Sequence, residues 1–248
     1  RGTCFLCERY GVGRMNKIDC SISLGKIKLK NPVLAASGTF GYAEEFGPLV
    51  DLKKLGGIVT KTITLKPRVG NAPGRIVETP AGLLNAIGLQ NVGVDDFVKK
   101  KLPFLRKVGI PIIASVMGYS VEEFTQAIKI LDQAQGIAGF ELNLSCPNVS
   151  YGTGDASCAR VFAHDTLLIK KVVGAVRAST RKTLFAKLSP DVSDIGQMAR
   201  AAEESGADAL SLVNTSNQPH SRSELSLHII FRVVGREILF IEKRIVYV

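Results

Sequence analysis

The feature that most restricts the fold is a repeated alternation of short apolar segments with amphipathic segments. Six apolar segments have the pattern of buried strands, at residues 32–37, 57–61, 110–116, 140–148, 183–188 and 208–213. Predicted helices lie between them, at residues 43–52, 94–108, 120–131, 164–178 and 193–205. Parallel strands need crossovers of about a dozen residues, which these intervals supply.

This alternation predicts an α/β fold of the TIM (β/α)8 type, in which six of the eight strand-helix units are recognisable. The length of 248 residues suits one such barrel. An alternating stretch around Gly25, at residues 19–29, predicts a β-hairpin before the first unit.

Polar residues occupy the carboxyl ends of the predicted strands. They are Ser37, Lys61, Ser115, Asn143, Lys187 and Asn214. All strand ends of this kind open onto one face of a barrel, where active sites lie. The pattern therefore predicts a ligand site that these side chains share.

The fourth strand, FELNLSCPN at residues 140–148, carries the candidate catalytic residue. Alternation places Glu141, Asn143 and Ser145 on one face, and Pro147 ends the strand because it has no N–H to donate. Cys146 at this end is a candidate proton acceptor. The alternative is a small buried thiol, as most free cysteines are.

Two long connections have the composition of functional loops. Residues 64–93 include the run NAIGLQN from Asn85 to Asn91, in which polar amides bracket apolar residues and a glycine. Residues 147–161 are rich in Gly, Ser and Asp, as expected of a mobile cover over Cys146.

Composition argues against several classes of protein. The 32 basic and 22 acidic residues give a charge of +10, but the basic residues are scattered without interleaved aromatics, so we expect a basic surface and no nucleic acid. Five cysteines, with a lone CxxC at Cys4 and Cys7, predict neither a disulfide framework nor a metal site. We expect a cytoplasmic protein with no membrane segment, and an N-terminal extension at residues 1–14 outside the fold.

Several motifs in one order resemble the dihydroorotate dehydrogenase family. They are NPVLAASGTFGY, GGIVTKTIT, LLNAIGLQN, NLSCPNV, AKLSP and LVNTS, spread from Ile22 to Thr215. Cysteine at position 146 is similar to class 1 of that family, and the overall likeness is to its NAD-linked subclass. The resemblance implies an FMN flavoprotein that oxidises dihydroorotate to orotate in pyrimidine (UMP) biosynthesis.

The resemblance also implies roles for individual residues. Cys146 would be the general base. The residues implied around the pyrimidine are Lys61, Asn85, Ile87, Gly88, Leu89, Asn143, Asn148, Asn214 and Thr215. Those implied to touch FMN are Ser37, Lys61, Thr62, Ser115, Asn143, Lys187 and Val213.

The implied partner is an iron-sulfur, FAD-containing subunit that links the reaction to NAD. The implied assembly is a homodimer or a heterotetramer. Fumarate is the alternative electron acceptor. A pyrimidine reductase similar to dihydropyrimidine dehydrogenase is the alternative enzyme. A non-catalytic remnant or an interaction scaffold is the alternative of another class.

The alternation stops after Gln218. Residues 15–218 are predicted to be the FMN-binding barrel, and residues 219–248 are a basic and apolar tail unlike the glycine-rich units that hold the FMN phosphate in the family. We interpret the change as a truncated or frameshifted end, which is expected to leave an open barrel edge.

Overall fold

The strands of the protein follow the predicted alternation. The computed structural model describes residues 19–80, 82–144, 162–214, 229–234 and 237–239. Its strands are β1 (Ile22–Leu24), β2 (Ile27–Leu29), β3 (Leu34–Ala35), β4 (Gly57–Val59), β5 (Ile76–Thr79), β6 (Gly82–Asn85), β7 (Ile112–Val116), β8 (Ile137–Asn143), β9 (Thr183–Lys187), β10 (Ala209–Leu212), β11 (Ile229–Val234) and β12 (Glu237–Leu239).

The helices lie between the strands of the main sheet. They are α1 (Gly93–Asp96), α2 (Leu102–Val108), α3 (Val121–Asp132), α4 (Thr166–Ser179) and α5 (Ile195–Glu204), with a π-helical turn at Phe97–Lys101 and 3₁₀ turns at Leu52–Lys54 and Phe162–His164. In the part of the chain described here, no helix is both long and apolar enough to cross a membrane.

Six parallel strands form the centre of one eight-stranded sheet. Its order is β12-β11-β10-β9-β8-β7-β4-β3, and every pair from β10 to β3 is parallel. This confirms the six predicted strands and their parallel arrangement.

The last two strands of the sheet run differently. β11 pairs antiparallel with β10, and β12 pairs antiparallel with β11. Among the described strands, the sheet therefore ends at β12 and β3 and does not close, as expected of an incomplete barrel with an open edge. The predicted boundary after Gln218 stays a prediction, since residues 215–228 lie outside the described residues.

The sheet is curled into an incomplete barrel. β9 and β3 are four strand positions apart, which is about 19 Å in a flat sheet. Yet Lys187 at the end of β9 donates a hydrogen bond of 3.2 Å to Ser37, just after β3. Side chains can meet over that separation only if the sheet bends around them.

Apolar residues on the two faces of the sheet form separate cores. The outer face packs against the helices through residues such as Phe140, Leu142 and Leu184. The inner face at the amino ends of the strands packs against the β1-β2 hairpin, in a cluster of Leu24, Ile27, Leu29, Leu34, Val59, Ile113, Phe185 and Ala209. The predicted hairpin thus closes the bottom of the barrel.

Side-chain caps explain where three helices begin. Ser120 accepts a hydrogen bond from the Glu123 backbone N–H before α3. Asp165 and Asp194 cap α4 and α5 in the same way. Gly206, with φ of 102°, follows α5 in the left-handed conformation that glycine adopts most readily.

The structure corrects the sequence prediction in two segments. Residues 43–52 form successive turns instead of a helix, because Pro48 lacks an N–H and disfavours a helical Gly47. The connection at residues 64–93 is not one irregular loop, since β5 and β6 pair within it as an antiparallel hairpin.

Candidate active site at the carboxyl ends of the strands

The apolar cluster under the β1-β2 hairpin is the floor of the barrel. Nearer the carboxyl ends of the strands, at the end that we call the mouth, the inner face of the barrel becomes polar. Phe185 and Lys187 lie on one face of β9, two residues apart, and Ala209 and Ser211 do the same on β10. In both strands the residue nearer the carboxyl end is the polar one. The polar layer therefore lies at the mouth, where the sequence predicts the site.

Several of the predicted substrate and cofactor residues are joined by hydrogen bonds at the mouth. Asn143 Nδ2 donates to Thr62 Oγ1 at 3.1 Å, and Thr62 Oγ1 and Ser115 Oγ are 3.0 Å apart. Asn214 Nδ2 donates to Asn143 Oδ1 at 2.9 Å. Four side chains from four strand ends are therefore held in one network.

A second network contains the charged groups of the mouth. Lys187 Nζ donates to Ser37 Oγ at 3.2 Å, and Ser37 Oγ donates to Glu141 Oε1 at 2.9 Å. Ser211 Oγ donates to Glu141 Oε2, also at 2.9 Å. Lys187 is only 2% exposed and Glu141 only 3%, so two opposite charges lie buried together.

Lys61 lies at the same end of the sheet. Its side chain is half-buried, and its backbone N–H donates to the Gly41 carbonyl at 2.8 Å. This bond ties the residue after β4 to the turn that follows β3. Val213, directly after β10, is also half-buried.

The predicted substrate segment at residues 85–89 follows the β5-β6 hairpin. Asn85 ends β6 and is exposed, Ile87 is half-buried, and Gly88 is buried. Gly88 and Leu89 have φ of 74° and 56°, so the backbone turns through the left-handed region at both. The structure places Asn85 on the hairpin, where it pairs with Ile76.

Asn91 fixes the base of this segment. Its side chain is 6% exposed, accepts from the N–H groups of Thr64 and Gly93, and donates to the Leu89 carbonyl at 2.9 Å. Arg68 adds a second tie, with its Nε 3.4 Å from the Gly88 carbonyl and its guanidinium over the Tyr119 ring. The segment is therefore anchored to the barrel beside α1.

Three predicted site residues lie outside the described residues. They are Cys146, Asn148 and Thr215, and the predicted cover at residues 147–161 lies there as well. The predicted N-terminal extension, residues 1–14, is likewise outside. Cys146 follows Asn143, the last residue of β8, by three positions.

Glu141 and Ser211 are parts of the mouth that the predicted site residues do not include. A signal for Glu141 was present, because strand alternation puts it on the same face as Asn143. Ser211 has the same relation to Val213 but no charge to distinguish it. An acidic residue inside an otherwise apolar strand was the overlooked feature.

The arrangement suits a planar, polar ligand that carries negative charge. Ammonium and amide N–H groups donate, amide oxygens accept, and hydroxyls do both. Within the described ranges, no group of three or more His, Cys, Asp or Glu side chains is placed to hold a metal ion. The buried side chains named above offer hydrogen bonds and charge to a ligand.

The fold and this site define an α/β-barrel protein with a ligand site at the carboxyl ends of its strands. The family model of dihydroorotate dehydrogenase matches residues 20–235. The chain belongs to the dihydroorotate dehydrogenase family, as its motifs predict.

Relatives of the chain carry names of the NAD-linked class. A dihydroorotate dehydrogenase B (NAD(+)) catalytic subunit from Trichlorobacter lovleyi is 54% identical over 195 residues, which cover 79% of this chain and 62% of that protein. The subunit of the same name from Geotalea daltonii is 51% identical over 201 residues, covering 81% of this chain and 64% of that one. The chain thus spans less than two thirds of the curated relatives it matches.

A solved structure supports the fold. The crystal structure of DHODH in complex with ferulenol from Eimeria tenella aligns with a TM-score of 0.64 at 21% identity, covering 84% of this chain and 62% of that chain. This likeness confirms the incomplete barrel.

Proposed function

We propose that the chain is a dihydroorotate dehydrogenase catalytic subunit that uses FMN to oxidise dihydroorotate to orotate. The observation that carries the proposal is the convergence of Lys187, Asn143, Thr62 and Asn214 at one barrel mouth, in a member of this family. The step belongs to the biosynthesis of pyrimidines (UMP), and we expect it in the cytoplasm.

The donor set of the mouth fits a flavin. The pyrimidine edge of a flavin ring presents carbonyl and N–H groups, which amides, hydroxyls and an ammonium can match. Lys187, Asn143 and Thr62 would hold that edge, with Ser37 and Ser115 behind them. When bound, FMN supplies the acceptor for the hydride from C6 of dihydroorotate.

The residues of the chain have three tasks in this reaction. Cys146, as thiolate, takes the proton from C5, and the electron pair of that C–H bond becomes the C5=C6 double bond of orotate. Asn143 and Asn214 orient the substrate ring by hydrogen bonds to its carbonyl and N–H groups. The positive charge of Lys187 would stabilise the negative charge that a bound flavin gains with the hydride.

Electrons then leave through a separate subunit. This part of the proposal rests on the relatives' name, which joins NAD(+) with the words catalytic subunit. We propose that the partner is an iron-sulfur, FAD-containing subunit, and that the chain forms a homodimer or, with this partner, a heterotetramer. Rapid fumarate reduction by the chain alone would contradict the NAD assignment.

The test is turnover by the full chain loaded with FMN, with dihydroorotate as donor and a dye as electron acceptor. Cys146→Ala is expected to lower kcat about 10²- to 10⁴-fold, the usual contribution of a general base. Cys20→Ser is the matched control, because Cys20 is an exposed free cysteine outside the mouth. The proposal fails if the wild-type chain is no faster than the Cys146 variant, or if it acts on uracil instead.

A further inference from the structure

The buried acid Glu141 is unexplained by the reaction proposed above. It is 3% exposed and lies between Ser37 and Ser211 on the inner face of the barrel. A buried carboxylate is costly unless it is hydrogen-bonded and matched by an opposite charge. Inside β8, Glu141 therefore needs hydrogen-bond donors and a positive charge close to it.

The hydrogen bonds give a direction to the network around Glu141. An ammonium has donors only, so Lys187 Nζ donates and Ser37 Oγ accepts, at 3.2 Å. The one proton of the Ser37 hydroxyl then remains for Glu141 Oε1, at 2.9 Å. Ser37 thus connects the cation to the anion, with the two charges no more than about 6 Å apart.

We propose that Glu141 is a positioning residue and buried counter-charge that, through Ser37, holds Lys187 in place and reduces the positive charge that the flavin experiences. The inference rests on the proposed function for its flavin part. The part that concerns Lys187 applies to the chain without any ligand.

The charge balance has a measurable consequence for flavin. Reduced flavin carries more negative charge than oxidised flavin, so Lys187 favours the reduced form and Glu141 opposes it. Removing the charge of Glu141 should therefore raise the preference for reduced over oxidised FMN. Removing the charge of Lys187 should lower the same preference.

The first experiment uses the full chain without FMN. Glu141→Gln, Lys187→Met and the double variant are compared by urea unfolding, followed by circular dichroism because the chain contains no tryptophan. Each single variant removes one of two opposite buried charges, so the double variant should lose less than the two single losses added together. Additive losses would overturn the inference.

A matched pair on the surface controls for charge removal in general. Lys170 and Glu204 are 2.7 Å apart but both exposed, so Lys170→Met and Glu204→Gln should show little coupling. If Glu141→Gln alone does not fold, recovery of folding in the double variant is itself the expected coupling. A double variant that also fails to fold would count against the proposal.

The second experiment measures FMN affinity in both redox states. Glu141→Gln is expected to shift the ratio of reduced to oxidised binding about tenfold toward reduced FMN, which is ~30 mV for a two-electron couple. Glu204→Gln should leave the ratio unchanged. An unchanged ratio in Glu141→Gln would overturn the flavin part.

The two experiments separate failure of this inference from failure of the proposed function. A wild-type chain that binds no FMN contradicts the proposed function and the flavin part together. The unfolding comparison still decides whether Glu141 holds Lys187.

Discussion

The floor and the mouth of the barrel are built on the same strands but obey opposite rules. On β9, Phe185 belongs to the apolar floor and Lys187, two residues later, belongs to the buried polar mouth. Ile113 and Ser115 on β7 show the same change. A step of about 7 Å along a strand thus separates residues that stabilise the fold from residues suited to a ligand.

The two layers differ in how much each buried residue contributes to the stability of the fold. In the floor, each apolar side chain stabilises the fold because it is removed from water. The β1-β2 hairpin covers the inner face, which would otherwise be exposed. In the mouth, buried amides and charges contribute little net stability, because their hydrogen bonds mainly offset the loss of water. What the mouth gains is fixed geometry.

The strongest test of this comparison is a large-to-small change in the floor. Phe185 is 1% exposed, so Phe185→Ala should lower the free energy of unfolding by about 3–5 kcal/mol through lost burial and a new cavity. Urea unfolding followed by circular dichroism measures the loss.

Phe104 on α2 is the matched control for the floor, since it is only half-buried against the outer core. Phe104→Ala should cost clearly less than Phe185→Ala. Equal losses would mean that Phe185 in the floor contributes no more to the free energy of unfolding than Phe104 on the outer helix.

A change in the mouth should have the opposite profile. Asn143→Ala removes hydrogen bonds to Thr62 and Asn214 and should lower the free energy of unfolding by about 1–3 kcal/mol, since buried partners lose their bonds. Binding of orotate to the FMN-loaded chain should fall more than tenfold, as judged by the change in flavin absorbance.

Asn31 provides the control for that change. Asn31→Ala removes bonds to Lys54 and Val33 near the bottom of the barrel, so it should affect folding and leave orotate binding intact. If both asparagine variants bind orotate like the wild type, the mouth is not the ligand site.

Much of the architecture was readable because each strand unit carries its own signals. Apolar runs such as residues 183–188 carry a charged residue, here Lys187, near their carboxyl end, and caps such as Ser120 mark where helices begin. Each of these patterns lies within a short stretch of sequence, so it can be recognised without knowing which distant segments are in contact. The family resemblance rested on the same strand ends and on Asn85 to Asn91.

Other features depend on contacts between distant segments, which local patterns do not encode. Glu141 meets Ser37 across 104 positions of sequence, and only the curl of the sheet brings them together.

The turns at residues 43–52 and the β5-β6 hairpin were missed for different reasons. The first has apolar residues at helical spacing that Pro48 interrupts, and the second has exposed Ile76 and Val77, which gave no buried pattern.

The smallest expected effect comes from a charge pair far from both layers. Lys170 Nζ donates to Glu204 Oε2 at 2.7 Å on the outer helices. This hydrogen bond, and then the positive charge of Lys170, hold the pKa of Glu204 below its usual value of 4.5. A depressed folded-state pKa gives stability above the unfolded value, and that stability is lost as the pH falls through the folded-state pKa.

Lys170→Met should therefore lower the urea midpoint slightly at pH 7, and the difference from the wild type should disappear as the pH falls below 4.5. Lys171→Met, at the exposed neighbouring position, controls for loss of a lysine. Added salt should shrink the effect at pH 7, because exposed charges are screened. A difference that persists at low pH would show that the side chain of Lys170 stabilises the helices by packing, and the contrast with the buried charges of the mouth would then rest on burial alone.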